Sequence, residues 1–216
     1  MAITTIAPTI LSSDPNEYKD TVQKYFNFAK RVHIDISDGT LTDNKTLSET
    51  AVWWPKGWTV DIHMMTTTPS AHLDNLIKLK PNLVIFHAEA NEDLIPIFQK
   101  LQENDIKVGV AIIKPVFPGN IKNILSIADH AMIFSGDLGH YGGKADLLLL
   151  EKVALCRDIK PAIEIGWDGG ANAENIHIIT HAGVDVINVG SAIAKADDAA
   201  STFNTLNKLT EKEDAI

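Results

Sequence analysis

Short apolar runs recur along the whole chain and are separated by polar stretches. The runs are rich in Val, Ile and Phe, which are favoured in β-strands, and each has the length of a single buried strand. The pattern predicts eight strands, at 4–11, 31–37, 58–65, 83–88, 107–113, 130–135, 162–167 and 184–190.

The stretches between these runs place apolar residues at helical spacing, for example at 69–80, 92–104 and 145–158. Strands that alternate with helices pair in parallel. Eight such units in 216 residues predict an α/β fold of the (β/α)8 TIM-barrel type. A doubly wound open sheet is the second choice, although no G-x-G-x-x-G segment opens a helix after the first strand, which weakens a dinucleotide-binding interpretation.

No linker-like segment divides the chain, so we expect a single barrel domain over residues 1–216. The longest gap between predicted strands is 38–57, directly after the second strand. We predict a loop there and expect it to contribute to function, because long loops in compact domains are often functional.

The net charge of −9 argues against binding to nucleic acids or to anionic membrane surfaces. It does not exclude an anionic small molecule, because a local site can be positive on an acidic protein. Residues 1–14 lack the basic region and long apolar core of a signal peptide, and no apolar run approaches the length of a membrane span. We therefore expect a cytoplasmic protein that binds neither nucleic acid nor membranes.

Polar residues are concentrated near the ends of the predicted strands. In a (β/α)8 barrel, the carboxyl ends of the strands carry the catalytic side chains. The polar residues at or near these ends are His33, Asp35, Asp61, His63, His87, Glu89, Lys114, Glu164 and Asp168.

Four of these residues have the chemistry of a metal site. His33 and Asp35 are two positions apart, so both side chains face the same side of a strand. A barrel would bring them together with His63 and Asp168, and two carboxylates buried together need a cation to offset their charge. Two histidines and two aspartates suit a divalent metal such as zinc, manganese or iron, with an open position for substrate.

Glycine-rich segments follow the last three predicted strands, at 140–143, 168–170 and 190–192. Glycines allow backbone N–H groups to approach a phosphate closely. The loops after the last two strands of a barrel often bind phosphate, so we predict a phosphate site there.

Taken together, these segments resemble the ribulose-phosphate 3-epimerase family over residues 6–194. The segments that carry the resemblance are HIDISDG (33–39), DIHMM (61–65), HAEA (87–90), GVAIIKP (109–115), YGGK (141–144), DGG (168–170) and GSAI (190–193). The resemblance implies a barrel of the ribulose-phosphate-binding type. It also implies a sugar-phosphate substrate and a homo-oligomer, either a dimer or a hexamer.

The resemblance further implies epimerisation at C3 of a ketose phosphate, above all of D-ribulose 5-phosphate to D-xylulose 5-phosphate through an enediolate. His33, Asp35, His63 and Asp168 would bind one divalent ion (Zn, Mn, Fe or Co), which polarises the C2 carbonyl. Asp35 and Asp168 would also be the acid–base pair, one on each face of the substrate. The residues implied in binding substrate or phosphate are Thr9, His63, Gly142, Gly143, Gly169, Gly170, Gly190 and Ser191.

The sequence departs from the family at several positions around the expected site. Ser37 and Ser135 stand where the family has methionines, and His140 stands where a glycine is usual. We expect the two serines to make the mouth of the barrel more polar and wetter. These changes leave two alternatives open, a related epimerase for a six-carbon ketose phosphate such as allulose 6-phosphate, and a relative that binds metal or sugar phosphate without turnover.

Two other barrel chemistries are less compatible with the sequence. Barrels of the orotidine-phosphate decarboxylase type carry Asp-x-Lys-x-x-Asp on strand three, but here the lysine and the second aspartate of 61–66 are replaced. A Schiff-base aldolase needs a buried lysine. The candidate, Lys114, precedes Pro115, and we expect it to have a structural role in a loop.

Overall fold

A computed structural model describes residues 4–211, and its eight strands close into one barrel in sequence order. All neighbouring strands are parallel, including the last with the first. This confirms the predicted (β/α)8 barrel. The strands are β1 (Thr5–Ile10), β2 (Arg31–Ser37), β3 (Thr59–Met65), β4 (Leu83–His87), β5 (Lys107–Ile112), β6 (His130–Phe134), β7 (Glu164–Asp168) and β8 (Val186–Val189).

The described helices lie outside the barrel in the order α1 (Pro15–Tyr25), α2 (Leu73–Leu79), α3 (Leu94–Gln102), α4 (Lys122–Ile127), α5 (Glu151–Ile159), α6 (Ile176–His181), α7 (Ser191–Ala194) and α8 (Ala199–Thr210). The helices predicted at 69–80 and 145–158 both open with a short 3-10 turn before the α-helix begins. The helix predicted at 92–104 begins later, because the Asp93 carboxylate accepts a hydrogen bond from the N–H of Ile95 and caps it.

The connection between β2 and β3 differs from the others because residues 38–58 contain no helix. This agrees with the loop predicted at 38–57. The loop is fixed at its start by the Thr46 hydroxyl, which accepts from the N–H of Ser37 at 2.8 Å and donates to the carbonyl of Asp35 at 3.1 Å. It therefore begins as an ordered extension of the strand that carries His33 and Asp35.

The alternation of side chains along β2 explains how polar groups come to lie inside the barrel. Val32, Ile34 and Ile36 are buried in the large apolar cluster that includes the helices. His33 and Asp35 lie on the other face of the strand, which lines the barrel interior. Within residues 4–211, no helix is both long enough and apolar enough to cross a membrane.

The opposite, N-terminal end of the barrel is closed by an ion cluster. Arg31 donates to Asp61 at 2.5 Å and makes two hydrogen bonds of 2.8 Å with Glu164. His130 lies 2.7 Å from the same Glu164 carboxylate. Asp61 and Glu164 are at the wrong ends of their strands to join the predicted site, which corrects their grouping with the other strand-end residues. Both carboxylates pair with Arg31 at the base of the barrel.

We predict that Glu164→Gln lowers the free energy of unfolding at pH 7 by about 1–2 kcal/mol, because hydrogen bonds between charged groups are lost at a partly exposed site. Burial alone would raise the pKa of Glu164, but hydrogen bonds from Arg31 and His130 hold it well below its usual range. A lowered folded-state pKa stabilises the protein above the unfolded pKa, and this contribution disappears as the pH falls.

Denaturant unfolding of both proteins from pH 7 to pH 3 measures this effect. The difference in stability between wild type and Glu164→Gln should shrink below about pH 5. The exposed Glu174 provides the matched control, and Glu174→Gln should change stability by less than about 0.5 kcal/mol. A constant difference across this pH range would contradict the role of the Glu164 charge.

Candidate active site

Four polar side chains converge at the C-terminal mouth of the barrel. His33 and Asp35 come from β2, His63 from β3 and Asp168 from β7, and one ligand atom of each lies within 4.8 Å of all the others. These are the four residues that the sequence predicts as a metal site. The structure thus brings together side chains that are far apart along the chain.

Strand register explains much of this convergence. Asp35 pairs with His63 across β2 and β3, so their side chains point into the barrel side by side. His63 Nδ1 lies 2.8 Å from Asp35 Oδ1 and 3.9 Å from Asp168 Oδ2. Asp168 is the last residue of β7 rather than the first residue after it, so a strand holds this carboxylate.

His33 occupies the centre of the cluster. Its Nε2 lies 3.2 Å from Asp35 Oδ1 and 3.3 Å from Asp168 Oδ2, and its ring is fully buried. Burial opposes the charged form, but the Asp168 and Asp35 carboxylates beside Nε2 raise the pKa of His33 to about 10. Burial would likewise raise the pKa of Asp35, but His33 and His63 hold it well below its usual range. The site therefore favours an ionised Asp35 carboxylate facing a positive charge.

The donor set fits a divalent cation. Neither ring nitrogen of His33 has a well-aligned hydrogen-bond partner among the described residues, although the ring is buried. His33 Nε2, His63 Nδ1 and two carboxylate oxygens face one small volume, and such nitrogen and oxygen donors suit Zn, Mn, Fe or Co. A cation there would take the place of the proton on His33 and offset both carboxylates.

A second pair of polar residues supports His63 from behind. His63 Nε2 lies 2.7 Å from His87 Nε2, and His87 Nδ1 lies 3.2 Å from Glu89 Oε2. The Glu89 carboxylate accepts the proton of His87 Nδ1, so His87 Nε2 accepts from His63 Nε2–H. Burial also lowers the pKa of His87, which favours its neutral form. With a cation bound, this chain of hydrogen bonds would keep the proton of His63 on Nε2 and direct the Nδ1 lone pair towards the cation.

The sequence identifies His87 and Glu89 as strand-end residues, but the predicted site does not include them. Their signal was the His-x-Glu spacing after β4. Their contact with His63 depends on the pairing of β3 with β4, which the sequence alone does not show.

The predicted phosphate residues line one side of the same cavity. Gly142 and Gly143 follow β6, Gly169 and Gly170 follow β7, and Gly190 and Ser191 follow β8. The backbones of the loops after β6 and β7 are in close contact. A Cβ atom at Gly169 or Gly170 would collide with the chain at 135–136 or 143–145. Small residues therefore keep this wall of the cavity open and formed largely by backbone.

Tyr141 connects this wall of the cavity to β1. Its hydroxyl accepts from the N–H of Leu11 at 2.8 Å and donates to the carbonyl of Thr9 at 3.1 Å. Its ring lies against Gly190, where a Cβ atom would come within 2.9 Å of the ring. The Thr9 hydroxyl is buried in the cavity wall and has no partner among the described residues.

The two serines pair with the backbone and do not line the cavity, which corrects the expectation that they make the mouth more polar. The Ser37 hydroxyl is buried and donates to the carbonyl of Asn44 at 2.7 Å. Ser135 faces away from the cavity and accepts from the N–H of Asp146 at 2.6 Å. The preceding residue, Phe134, lines the cavity instead, with its ring centroid 5.8 Å from that of His63.

The structure also locates two further residues that the sequence analysis considered, His140 and Lys114. His140 is exposed at the rim of the cavity, in the loop after β6. Lys114 is exposed and pairs with Asp146 at 2.8 Å. This exposure is incompatible with the buried lysine of a Schiff-base enzyme, as expected.

Solved structures with the same barrel fold include several TIM-barrel enzymes. A ligand-bound structure of KGPDC from Streptococcus mutans matches with a TM-score of 0.72 over 96% of this chain and 97% of that chain, at 13% identity. The 3-hexulose-6-phosphate synthase from Salmonella typhimurium matches with a TM-score of 0.71 over 96% and 98%, at 16% identity. At these identities the likeness shows the shared fold.

The sequence comparisons are more specific. The model of the ribulose-phosphate 3 epimerase family matches residues 5–194, so the chain belongs to this family of isomerases. The ribulose-phosphate 3-epimerase of Helicobacter pylori (strain ATCC 700392 / 26695) is 28% identical over 95% of this chain and 98% of the relative. That of Bacillus subtilis (strain 168) is 29% identical over 93% and 97%. The family predicted from the sequence is thereby confirmed.

We predict that His87→Leu weakens binding of Zn²⁺ or Co²⁺ by about tenfold to a hundredfold, because the buried N–H of His63 loses its acceptor. Calorimetric titration of metal-free protein measures the affinity. Glu89→Gln is the matched comparison, since an amide oxygen can still accept from His87, and its loss should be smaller. Unchanged affinity in a folded His87→Leu protein would contradict this role.

Proposed function

We propose that the protein is a divalent-metal-dependent epimerase that acts at C3 of a ketose phosphate, and that it interconverts D-ribulose 5-phosphate and D-xylulose 5-phosphate. The observation that carries this proposal is the pair of carboxylates, Asp35 and Asp168. They come from strands that are not neighbours and meet at one His-rich cluster beside a glycine-lined cavity. The family and its named relatives support the same chemistry.

Epimerisation requires two acid–base groups on opposite faces of the reacting carbon. One aspartate takes the proton from C3, which leaves an enediolate across C2 and C3, and the other aspartate delivers a proton to the opposite face. The lowered pKa of Asp35 keeps it at neutral pH in the ionised form, which is the form that can take the proton from C3. The two roles exchange when the reaction runs in reverse.

His33, Asp35, His63 and Asp168 would hold the cation. When bound, a divalent cation offsets the negative charge that develops on the oxygens of C2 and C3. His87 and Glu89 fix the orientation and tautomer of the His63 ring. Met65 and Phe134 supply apolar walls, which limit the access of water to the proton-transfer step.

The phosphate end of the substrate would lie against the loops that follow β6, β7 and β8. Backbone N–H groups at Gly142, Gly143, Gly169, Gly170, Gly190 and Ser191 are the proposed donors. His140 lies at the same rim and adds a donor or a positive charge when protonated. Ligand binding at this wall needs no large basic patch, in agreement with the acidic net charge.

We also propose that the chain is one domain, acts in the cytoplasm and forms a homo-oligomer, either a dimer or a hexamer. The relative from Oryza sativa subsp. japonica is named a cytoplasmic isoform. On this chain, the exposed rings of Phe26 and Trp53 line one shallow apolar depression, which is suited to an interface. Light scattering after size-exclusion chromatography measures the oligomeric state.

The reaction is tested by incubating the metal-loaded protein with each 5-phosphate epimer in D2O and following C3 by NMR. Wild type should interconvert the two epimers with incorporation of deuterium. Asp35→Asn and Asp168→Asn should each slow interconversion by about a hundredfold or more. Each should still exchange the C3 proton of one epimer, and the epimer should differ between the two variants.

This opposite pattern separates proton transfer from loss of metal, because metal loss would stop exchange with both epimers. The metal content of each variant is measured first. Asp43→Asn, at an exposed aspartate in the β2–β3 loop, is the matched control and should behave as wild type. If wild type exchanges neither pentulose phosphate, the same assay with allulose 6-phosphate distinguishes a six-carbon epimerase from a relative that only binds.

A further inference from the structure

Asn188 is a buried amide inside the barrel whose role the proposed proton transfers do not explain. It lies on β8 and pairs in register with Asp168 on one side and with Ala7 on the other. Its side chain is only 3% exposed and lines the same cavity as Asp168 and Thr9. The amide is therefore next to one of the two proposed acid–base groups.

The hydrogen bonding of Asn188 is incomplete within the described residues. Its Nδ2 reaches the sulfur of Met132 at 3.3 Å, which is a weak acceptor, and its Oδ1 has no partner. Met132 is the only hydrogen-bond partner of this amide among the described residues. Buried amides in proteins are nearly always satisfied, so the free end is matched to a group outside the chain.

A second unpaired polar atom lies nearby. The hydroxyl of Thr9 is buried without a partner and lines the same cavity. Ala7 pairs with Asn188, and Thr9 is two residues further along β1. The side chain of Thr9 therefore points to the same side of the strand as that of Ala7. The β1–β8 side of the cavity thus offers two unpaired groups that form hydrogen bonds, whereas Phe134 and Met65 make other parts of the wall apolar.

We propose that Asn188, beside Thr9, binds a substrate hydroxyl that takes no part in the reaction, and so selects hydroxylated ketose phosphates over their deoxy analogues. This inference rests on the proposed function. In the proposed function, the His/Asp cluster faces the oxygens on C2 and C3, and the glycine loops bind the phosphate. In a pentulose phosphate the remaining polar groups are the hydroxyls on C1 and C4, both on carbons next to the reacting pair.

A hydroxyl suits this position because it both donates and accepts a hydrogen bond. It can therefore pair with the free end of the amide and with the Thr9 hydroxyl together. A site that is built to bond a substrate hydroxyl discriminates strongly against an analogue that lacks it, because buried polar groups are then left unpaired. Asn188 is in this sense a specificity-determining residue and not an acid or base.

The test compares wild type with Asn188→Leu, which has a similar volume but no amide. The probes are D-ribulose 5-phosphate and its 1-deoxy and 4-deoxy analogues, all of which keep the C3 proton. Binding to the metal-loaded protein is measured by calorimetry, and kcat/KM by C3 exchange. Wild type should prefer the parent over one analogue by at least about tenfold.

Asn188→Leu should lose about tenfold to a hundredfold on the parent but less than about threefold on that analogue. Its melting temperature without substrate should stay the same or rise by about 2–4 °C, because an unsatisfied buried amide has been removed. Thr9→Val provides a second variant, and it should likewise lose less affinity for that analogue than for the parent compound. The analogue affected identifies the hydroxyl that is bound.

Equal losses on all three compounds would overturn the proposal and show a structural role for Asn188. Unchanged affinities would also overturn it and indicate that the amide merely holds water. Because binding is measured separately from exchange, a protein that binds these compounds without exchange would refute the proposed epimerase and still decide the role of Asn188.

Discussion

Two carboxylates that share a buried site impose the main constraint on this protein. Asp35 and Asp168 both approach the same nitrogen of His33, at 3.2 and 3.3 Å. Their repulsion in a poorly solvated interior must be offset by positive charge, either a proton on His33 or a cation. The neighbouring features follow from this need, because His63 supplies a further donor and its partners His87 and Glu89 keep that donor aligned.

The alternation of strands and helices, together with the count of eight such units, favoured the barrel over a doubly wound open sheet. It failed where position along a strand mattered. Asp61 and Glu164 read as strand-end residues, but they lie at the base of the barrel, where both pair with Arg31. The local sequence does not show where a strand starts relative to its neighbours. A polar residue at the base of the barrel therefore cannot be distinguished from one at the mouth.

The four residues of the His/Asp cluster were predictable because their chemistry is unusual at the end of an apolar strand. Residues whose role depends on a neighbour were not. Tyr141 reads as an ordinary loop aromatic, and Asn188 as a polar interruption of an apolar strand, until the pairing of β1 with β8 shows what each faces. The prediction that Ser135 lies at the mouth was wrong for the same reason, because the adjacent Phe134 takes the position inside the barrel.

The hydroxyl of Tyr141 joins Leu11 and Thr9, near the start of the chain, to a loop that lies more than half the chain away. The same tyrosine ring rests on Gly190, which follows the last strand. The wall proposed to bind phosphate is therefore assembled only after β1, the loop after β6 and the segment after β8 have come together. If it binds substrate as proposed, a partly unfolded chain whose barrel is still open would not bind the phosphate, and bound substrate would in turn stabilise the closed barrel.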